Sequence, residues 1–258
     1  MNVNAKIVLI TGASSGIGAL MAEAFAAKGA VPILTARTLP KLEEIAARLP
    51  GKHAVFYLDV TKYDQVTETV RQIMEQFGRI DILINNAGYG QFESFTDAAI
   101  EHFEEMMDVN YLGTVRCTKA VLPHMLKAGS GHIVNIASIA GKVGSAKSTG
   151  YSATKHAVLG FTNSLRLELV GTGVSLTAIN PGPINTPFFD RADPEGTYVK
   201  NISWMMLKPE KVVSEIIHAI EHKRAEKNLP RMAGFASKLA LLFPRSYDRL
   251  AHRIMNKK

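Results

Sequence analysis

The sequence predicts an α/β fold: a doubly wound parallel sheet with helices on both faces, in a three-layer sandwich. Three observations lead there. Short runs rich in Val, Ile and Leu alternate with longer stretches of helical spacing. The runs lack strict apolar–polar alternation, which predicts strands buried on both faces. The first run is followed at once by a glycine-rich turn that opens a helix. At 258 residues, 47% of them hydrophobic, the chain suits one large α/β domain spanning 1–258.

In order, the predicted strands are Ile7–Thr11, Val31–Ala36, Ala54–Leu58, Ile82–Asn85, His132–Ala137 and Val174–Ile179. The predicted helices lie near 17–28, 40–48, 64–77, 97–127 and 151–170. Right-handed crossovers between parallel strands then place helices on both faces. The chain has no internal repeat, low-complexity stretch or flexible linker.

Between the first strand and first helix runs TGASSGIG, Thr11 to Gly18. Gly12 allows a sharp turn out of the strand. Gly16 and Gly18 allow a diphosphate and the neighbouring strand to approach without a Cβ between. The helix that follows offers free N–H groups and a positive dipole end. The spacing is G-x-x-x-G-x-G, not G-x-G-x-x-G. An ordinary glycine-rich turn is the alternative, and the position between strand and helix favours cofactor binding.

A second constellation is NIASIAGKVGSAKSTGYSATK, Asn135 to Lys155. Tyr151 and Lys155 are four apart and share a helix face. A free tyrosine titrates near pH 10, and an ammonium beside it lowers that value. Ser138, at the end of a predicted strand, is placed to hydrogen-bond a substrate oxygen. Together they offer general acid–base chemistry at a carbonyl. Alone, Tyr151 and Lys155 also read as a surface pair. NNAG, Asn85 to Gly88, ends the fourth strand with small residues that allow backbone to run beside a cofactor. Asn110 lies in a long helical stretch, where asparagine is an indifferent helix former. It is either an ordinary polar residue or a break in the backbone ladder that holds a water near Lys155.

These pieces, with Asp59-Val60 and Pro181-Gly182 to Thr186, resemble the short-chain dehydrogenase/reductase family in order and spacing over residues 5–225. The resemblance implies a Rossmann-type sheet of about seven strands in the order 3-2-1-4-5-6-7. It implies an NADP-dependent, ketoacyl-reductase-like enzyme acting on CH–OH groups. Tyr151 would be the acid/base, Lys155 its pKa-lowering neighbour and ribose contact, Ser138 the carbonyl-positioning hydroxyl, and Asn110 part of a proton relay. Cofactor contacts would come from Gly12, Ser14, Ser15, Gly16, Ile17 and Gly18 in the loop. Asp59 and Val60 would meet the adenine, and Asn86, Ala87 and Gly88 would run alongside. Pro181, Gly182, Ile184 and Thr186 would reach the nicotinamide. Homodimers or homotetramers through the helices bearing Asn110 and Tyr151 are implied as well.

The second strand ends ILTARTLPKLEEI, which offers Arg37 and no acid until Glu43. An arginine suits a ribose 2′-phosphate through paired charge-assisted hydrogen bonds, and an acid there would suit NAD. NADP(H) is therefore expected over NAD(H). The alternative is that Arg37 is solvated. Many NADP-preferring relatives carry a second basic residue where this chain has Ser15. No metal site is predicted.

After Pro181-Gly182, residues 183–208 carry Phe188, Phe189, Trp204, Met205 and Met206. A mobile lid over an apolar ketoacyl, steroid-like or other lipophilic carbonyl substrate is one reading; packing on the core is the other. Residues 1–199 hold 17 basic and 18 acidic residues, and residues 200–258 hold 13 and 5, so the positive charge is in the tail. Residues 235–258 interleave Leu239, Leu242, Phe243, Leu250 and Ile254 with Lys238, Arg245, Arg249, Arg253, Lys257 and Lys258. That pattern suits weak docking on anionic lipid or on the domain or a subunit partner, with Pro244 breaking the helix. The tail lacks a recognisable nucleic-acid module. No window approaches the roughly 18 apolar residues of a membrane span, and the N-terminal apolar run is too short for a signal peptide. Cys117 alone cannot form an intrachain disulfide, so a reducing cytoplasm is expected. A non-catalytic NADP(H)-binding sensor or scaffold of the same fold is the rival reading; the presence of all four catalytic residue types argues against it.

Overall fold

The first apolar run becomes β1 (Ile7–Thr11), and all five of its residues are buried. Val8 and Ile10 enter one core, and Ile7 and Leu9 the other. The same division explains why the other runs do not alternate in polarity. The computed structural model describes residues 1–245 together with Tyr247 and Arg249. Beside β1 stand β2 (Val31–Ala36), β3 (Ala54–Tyr57), β4 (Ile82–Asn85), β5 (Gly131–Ile136), β6 (Val174–Pro181) and β7 (Glu226–Leu229). They form one parallel sheet in the order β3-β2-β1-β4-β5-β6-β7.

One face is covered by α1 (Gly16–Ala27), α2 (Leu39–Ala46) and the later helix Pro209–Glu221, through Met21, Phe25, Leu42, Ile216 and Ile220. The other is covered by α3 (Tyr63–Phe77) and the helices Gly113–Ala128 and Thr149–Glu168, through Val70, Ile73, Val121 and Leu165. Each such buried side chain contributes roughly 1.5–3 kcal/mol. Cys117 sits in the second core, where burial pushes its thiol up to about 12. The chain reverses its direction of progress across the sheet between β1 and β4, so the switch-point crevice opens at their carboxyl ends.

The stretch expected as one helix over 97–127 is three pieces: α4 (Ile100–Met107), a π-helical turn over Asp108–Leu112, and α5 (Gly113–Ala128). After α6 (Thr149–Glu168) and β6, residues 183–208 leave the sheet. They form α7 (Phe188–Ala192), α8 (Thr197–Ile202) and a 3₁₀ turn at Ser203–Met205. A bridge between Ile184 and Leu207 closes the base of this excursion. Next come α9 (Pro209–Glu221), β7 and α10 (Arg231–Leu242). α10 stops before Pro244, as proline chemistry predicts. Leu250, Arg253, Ile254, Lys257 and Lys258, part of the expected tail, lie outside the described residues. Among the described residues, no helix is long and apolar enough to cross a membrane.

Candidate active site

The glycine loop is built by close approach. Gly12 has φ +65°, and a Cβ there would sit 2.8 Å from Ala87 Cα. A Cβ on Gly18 would meet the Gly12 carbonyl oxygen at 2.4 Å and Asn86 Nδ2 at 2.7 Å. Thr11 and Asn86 stitch the loop to the NNAG strip. The Asn86 and Ala87 amides both donate to Thr11 Oγ1 at 3.0 Å, and Asn86 Nδ2 donates to the carbonyls of Thr11 and Gly12. Asn86 therefore shapes the loop as well as lining the cleft. The Ser15 side chain does not cap α1, which leaves first-turn N–H groups for another acceptor.

This loop forms one end of a cavity of about 610 Å³. Ser14, Ser15, Gly16, Ile17, Arg37, Asp59, Val60 and Gly88 line it, as do Pro181, Gly182, Ile184 and Thr186. Arg37 is exposed at the end of β2. Asp59 accepts from the Thr61 amide at 2.9 Å and from its hydroxyl at 2.8 Å. Burial pushes the Asp59 carboxyl upward, but these bonds and the charges of Arg37 and Lys62 hold it below its ordinary value.

Ser138, Tyr151 and Lys155 line the same cavity. One helical turn in α6 separates Tyr151 from Lys155, whose Nζ lies 5.6 Å from the phenol ring centroid and donates to the Ile136 carbonyl at 2.8 Å. Burial lowers Lys155 to about 8. Burial also raises Tyr151 well above its ordinary value, against the downward pull of a hydrogen bond with Ser138. The expected lowering of Tyr151 by Lys155 is thus not the dominant influence. The sequence displays the ammonium but not the desolvation, and desolvation is larger. Ser138 Oγ donates to the Pro181 carbonyl at 3.2 Å and accepts from the Ala140 amide at 3.0 Å.

Asn110 stands behind the cavity wall, at 1% exposure, within the π turn. Such wide turns cluster at functional sites. Its Oδ1 accepts from the Tyr89 amide at 2.9 Å, and its Nδ2 donates to the Tyr89 carbonyl and to Thr154 Oγ1. Oδ1 and Lys155 Nζ converge on Gly88, where a Cβ would sit 3.0 Å from the first and 3.7 Å from the second.

The family profile for short chain dehydrogenases matches residues 6–196. The chain belongs to this family. An uncharacterized oxidoreductase of Staphylococcus saprophyticus is 46% identical over 192 residues, covering 73% of this chain and 82% of that one. A short-chain dehydrogenase from Streptomyces avermitilis superposes with a TM-score of 0.83 at 28% identity, over 96% and 98% of the two chains. The closed form of a serine dehydrogenase complexed with NADP⁺ superposes with a TM-score of 0.78 at 35% identity, over 83% and 88%.

In this short-chain dehydrogenase the cavity is aromatic around Tyr151. Phe92 contacts Tyr151, Phe188, Phe189 and Tyr198, with centroids 4.9–6.3 Å apart in edge-on arrangements. Phe188 contacts the Tyr151 ring directly, at 5.6 Å. Of the apolar residues expected in residues 183–208, Phe188, Phe189 and Met205 line the cavity. Met206 packs in the excursion's own apolar cluster, and Trp204 is 75% exposed. Sequence reasoning missed Phe92, Tyr198 and Tyr247. The one available signal was the position of Phe92 four residues after NNAG. What brings it to Tyr151 is non-local: its amide donates to the Ala192 carbonyl at 2.9 Å.

Proposed function

We propose that this chain is an NADP(H)-dependent oxidoreductase acting on a lipophilic ketone or secondary alcohol, of a ketoacyl, steroid-like or similar class. The reading rests on one observation. The Tyr151 phenol, the Ser138 hydroxyl and Lys155 open into the same cavity as the glycine loop and Arg37.

The residues present fit the cofactor. First-turn amides of α1 suit a diphosphate, the Asp59 carboxylate suits an adenine amine, and Arg37 suits a 2′-phosphate. When bound, the nicotinamide supplies or accepts the hydride. Lys155 would hold the ribose hydroxyls, and Thr186 would hold the carboxamide. In reduction the Ser138 hydroxyl turns from the Pro181 carbonyl to hydrogen-bond the substrate oxygen. Tyr151, kept protonated by burial, gives that oxygen its proton. Asn110 Oδ1 and Lys155 Nζ both lie beside Gly88, and a water between them would carry the proton onward. In oxidation Tyr151 acts in the reverse sense, with the Lys155 charge favouring its ionised form.

Rings at the far end exclude water, and residues 183–208 act as a lid hinged at the Ile184–Leu207 bridge. Leu167 at the end of α6 and Val170 just past it, at 76% and 78% exposure, suit a homodimer or homotetramer contact. The test is NADPH oxidation with a panel of lipophilic carbonyls. Tyr151→Phe should lose about 10²–10⁴-fold in turnover while NADPH binding persists. Full activity in that variant would remove Tyr151 from the chemistry.

A further inference from the structure

α10 inverts the ordinary distribution of side chains. It buries Gly234, Ser237 and Ala240 and packs against β7 and the turn at Ile139–Gly141. Gly234 comes so close to β7 that a Cβ there would sit 2.5 Å from Asn228 Nδ2. Met232, Phe235, Leu239 and Leu242 face outward, at 78%, 64%, 43% and 70% exposure. They are three, four and three residues apart, so they form one stripe. Phe243 extends it at the helix end, 62% exposed. A surface helix ordinarily turns such a stripe to the core, and a contiguous apolar patch in water marks a contact surface.

Charge selects the occupant. Arg231 and Lys238, seven residues apart, flank the stripe, and Arg245 follows just past the helix. No Asp or Glu occurs from Lys227 through Tyr247; Glu215 of α9 lies near Arg231. A second copy paired about a two-fold axis would set these cations against their own images. An anionic lipid surface satisfies both parts: acyl chains take the stripe, and headgroup phosphates take the cations. The location also fits. Five residues beyond α10, Tyr247 lines the cavity and donates its hydroxyl to the Gly144 carbonyl at 3.0 Å. Met205 lines the cavity too, and is 40% exposed.

We propose that the outward stripe of α10 seats this protein on an anionic lipid surface, with the cavity mouth beside the contact. The docking does not depend on the catalytic reading and is measured without cofactor or carbonyl. The full chain is sedimented with vesicles of equal phosphatidylglycerol and phosphatidylcholine, and with phosphatidylcholine vesicles alone. Affinity for the anionic vesicles should be at least about tenfold the higher, and should fall with salt. Phe235→Glu/Leu239→Glu should lower it at least about tenfold, and Lys238→Gln/Arg245→Gln several-fold, with melting temperature and elution volume unchanged. Equal recovery with and without vesicles would overturn the proposal, as would undiminished binding by both variants. A shift of Phe235→Glu/Leu239→Glu to a smaller assembly would overturn it too, assigning the stripe to a second copy.

Discussion

On the glycine-loop side of the cleft, a carbon added at Gly12 or Gly18 has nowhere to go. Around Tyr151 the cavity wall is built instead of whole rings that meet mostly edge-on. The Gly18 position faces a carbonyl oxygen and an amide that is itself doubly hydrogen-bonded. Phe92 faces four other rings, three of them from residues 183–208 and one from Tyr151. Backbone-built surfaces tolerate no variation in their ligand, whereas side-chain-built surfaces are altered one substitution at a time.

The contrast is easiest to break at Gly18. Gly18→Val should cost about 3 kcal/mol or more in urea unfolding, because backbone atoms must move. It should also abolish NADPH binding; near-native affinity would show that the loop is not packed as described.

Lys155 lies at the seam between the two sides. Burial lowers it to about 8, below an unfolded value near 10.5. The unfolded chain therefore binds the extra proton between those values, and stability rises with pH from about 8 to 10.5. Below 8 the full penalty is present. Lys155→Met should raise stability at pH 7 by at most roughly 3 kcal/mol, less the cost of leaving the Ile136 carbonyl unbonded. The gain should vanish above pH 10.5. Melting curves across that range would expose a flat difference, which would contradict the buried ammonium.

Arg37→Glu sharpens the comparison from the glycine-loop side. NADPH affinity should fall about 100-fold while NADH affinity changes little, since charge-assisted bonds to a 2′-phosphate are lost. Equal losses for both cofactors would make Arg37 a general electrostatic contact. Phe92→Ala should have the smallest effect. KM for a lipophilic ketone should rise about tenfold with a lesser change in kcat, because an apolar contact is lost away from the reacting atoms. A collapse of kcat alone would mean that Phe92 instead fixes the Tyr151 ring.

Much of this was legible in the chain. Five strands were readable because burial on both faces leaves largely apolar runs, and the edge strand β3 because its AVFY run is itself apolar although none of it is buried; Ile7–Thr11 and Ile82–Asn85 match their runs to the residue. β7 was not readable. Its sequence EKNL is an edge strand, with only Leu229 buried. The π turn at Asp108–Leu112 was hidden because residues on both sides keep helical spacing. The inward Gly234–Ser237–Ala240 face of α10 was hidden because small residues carry little hydrophobic signal.

The sequence by itself determined the strand–loop–helix order, the glycine placement and the four-residue offset of Tyr151 from Lys155. These are local: backbone period and the absence of a Cβ depend on nearby residues alone. Only the tertiary structure decided that burial outweighs the other influences on Tyr151, that Phe92 and Phe188 meet its ring, and that α10 turns its large side chains outward. Burial and juxtaposition depend on segments tens of residues away, and no local pattern encodes them.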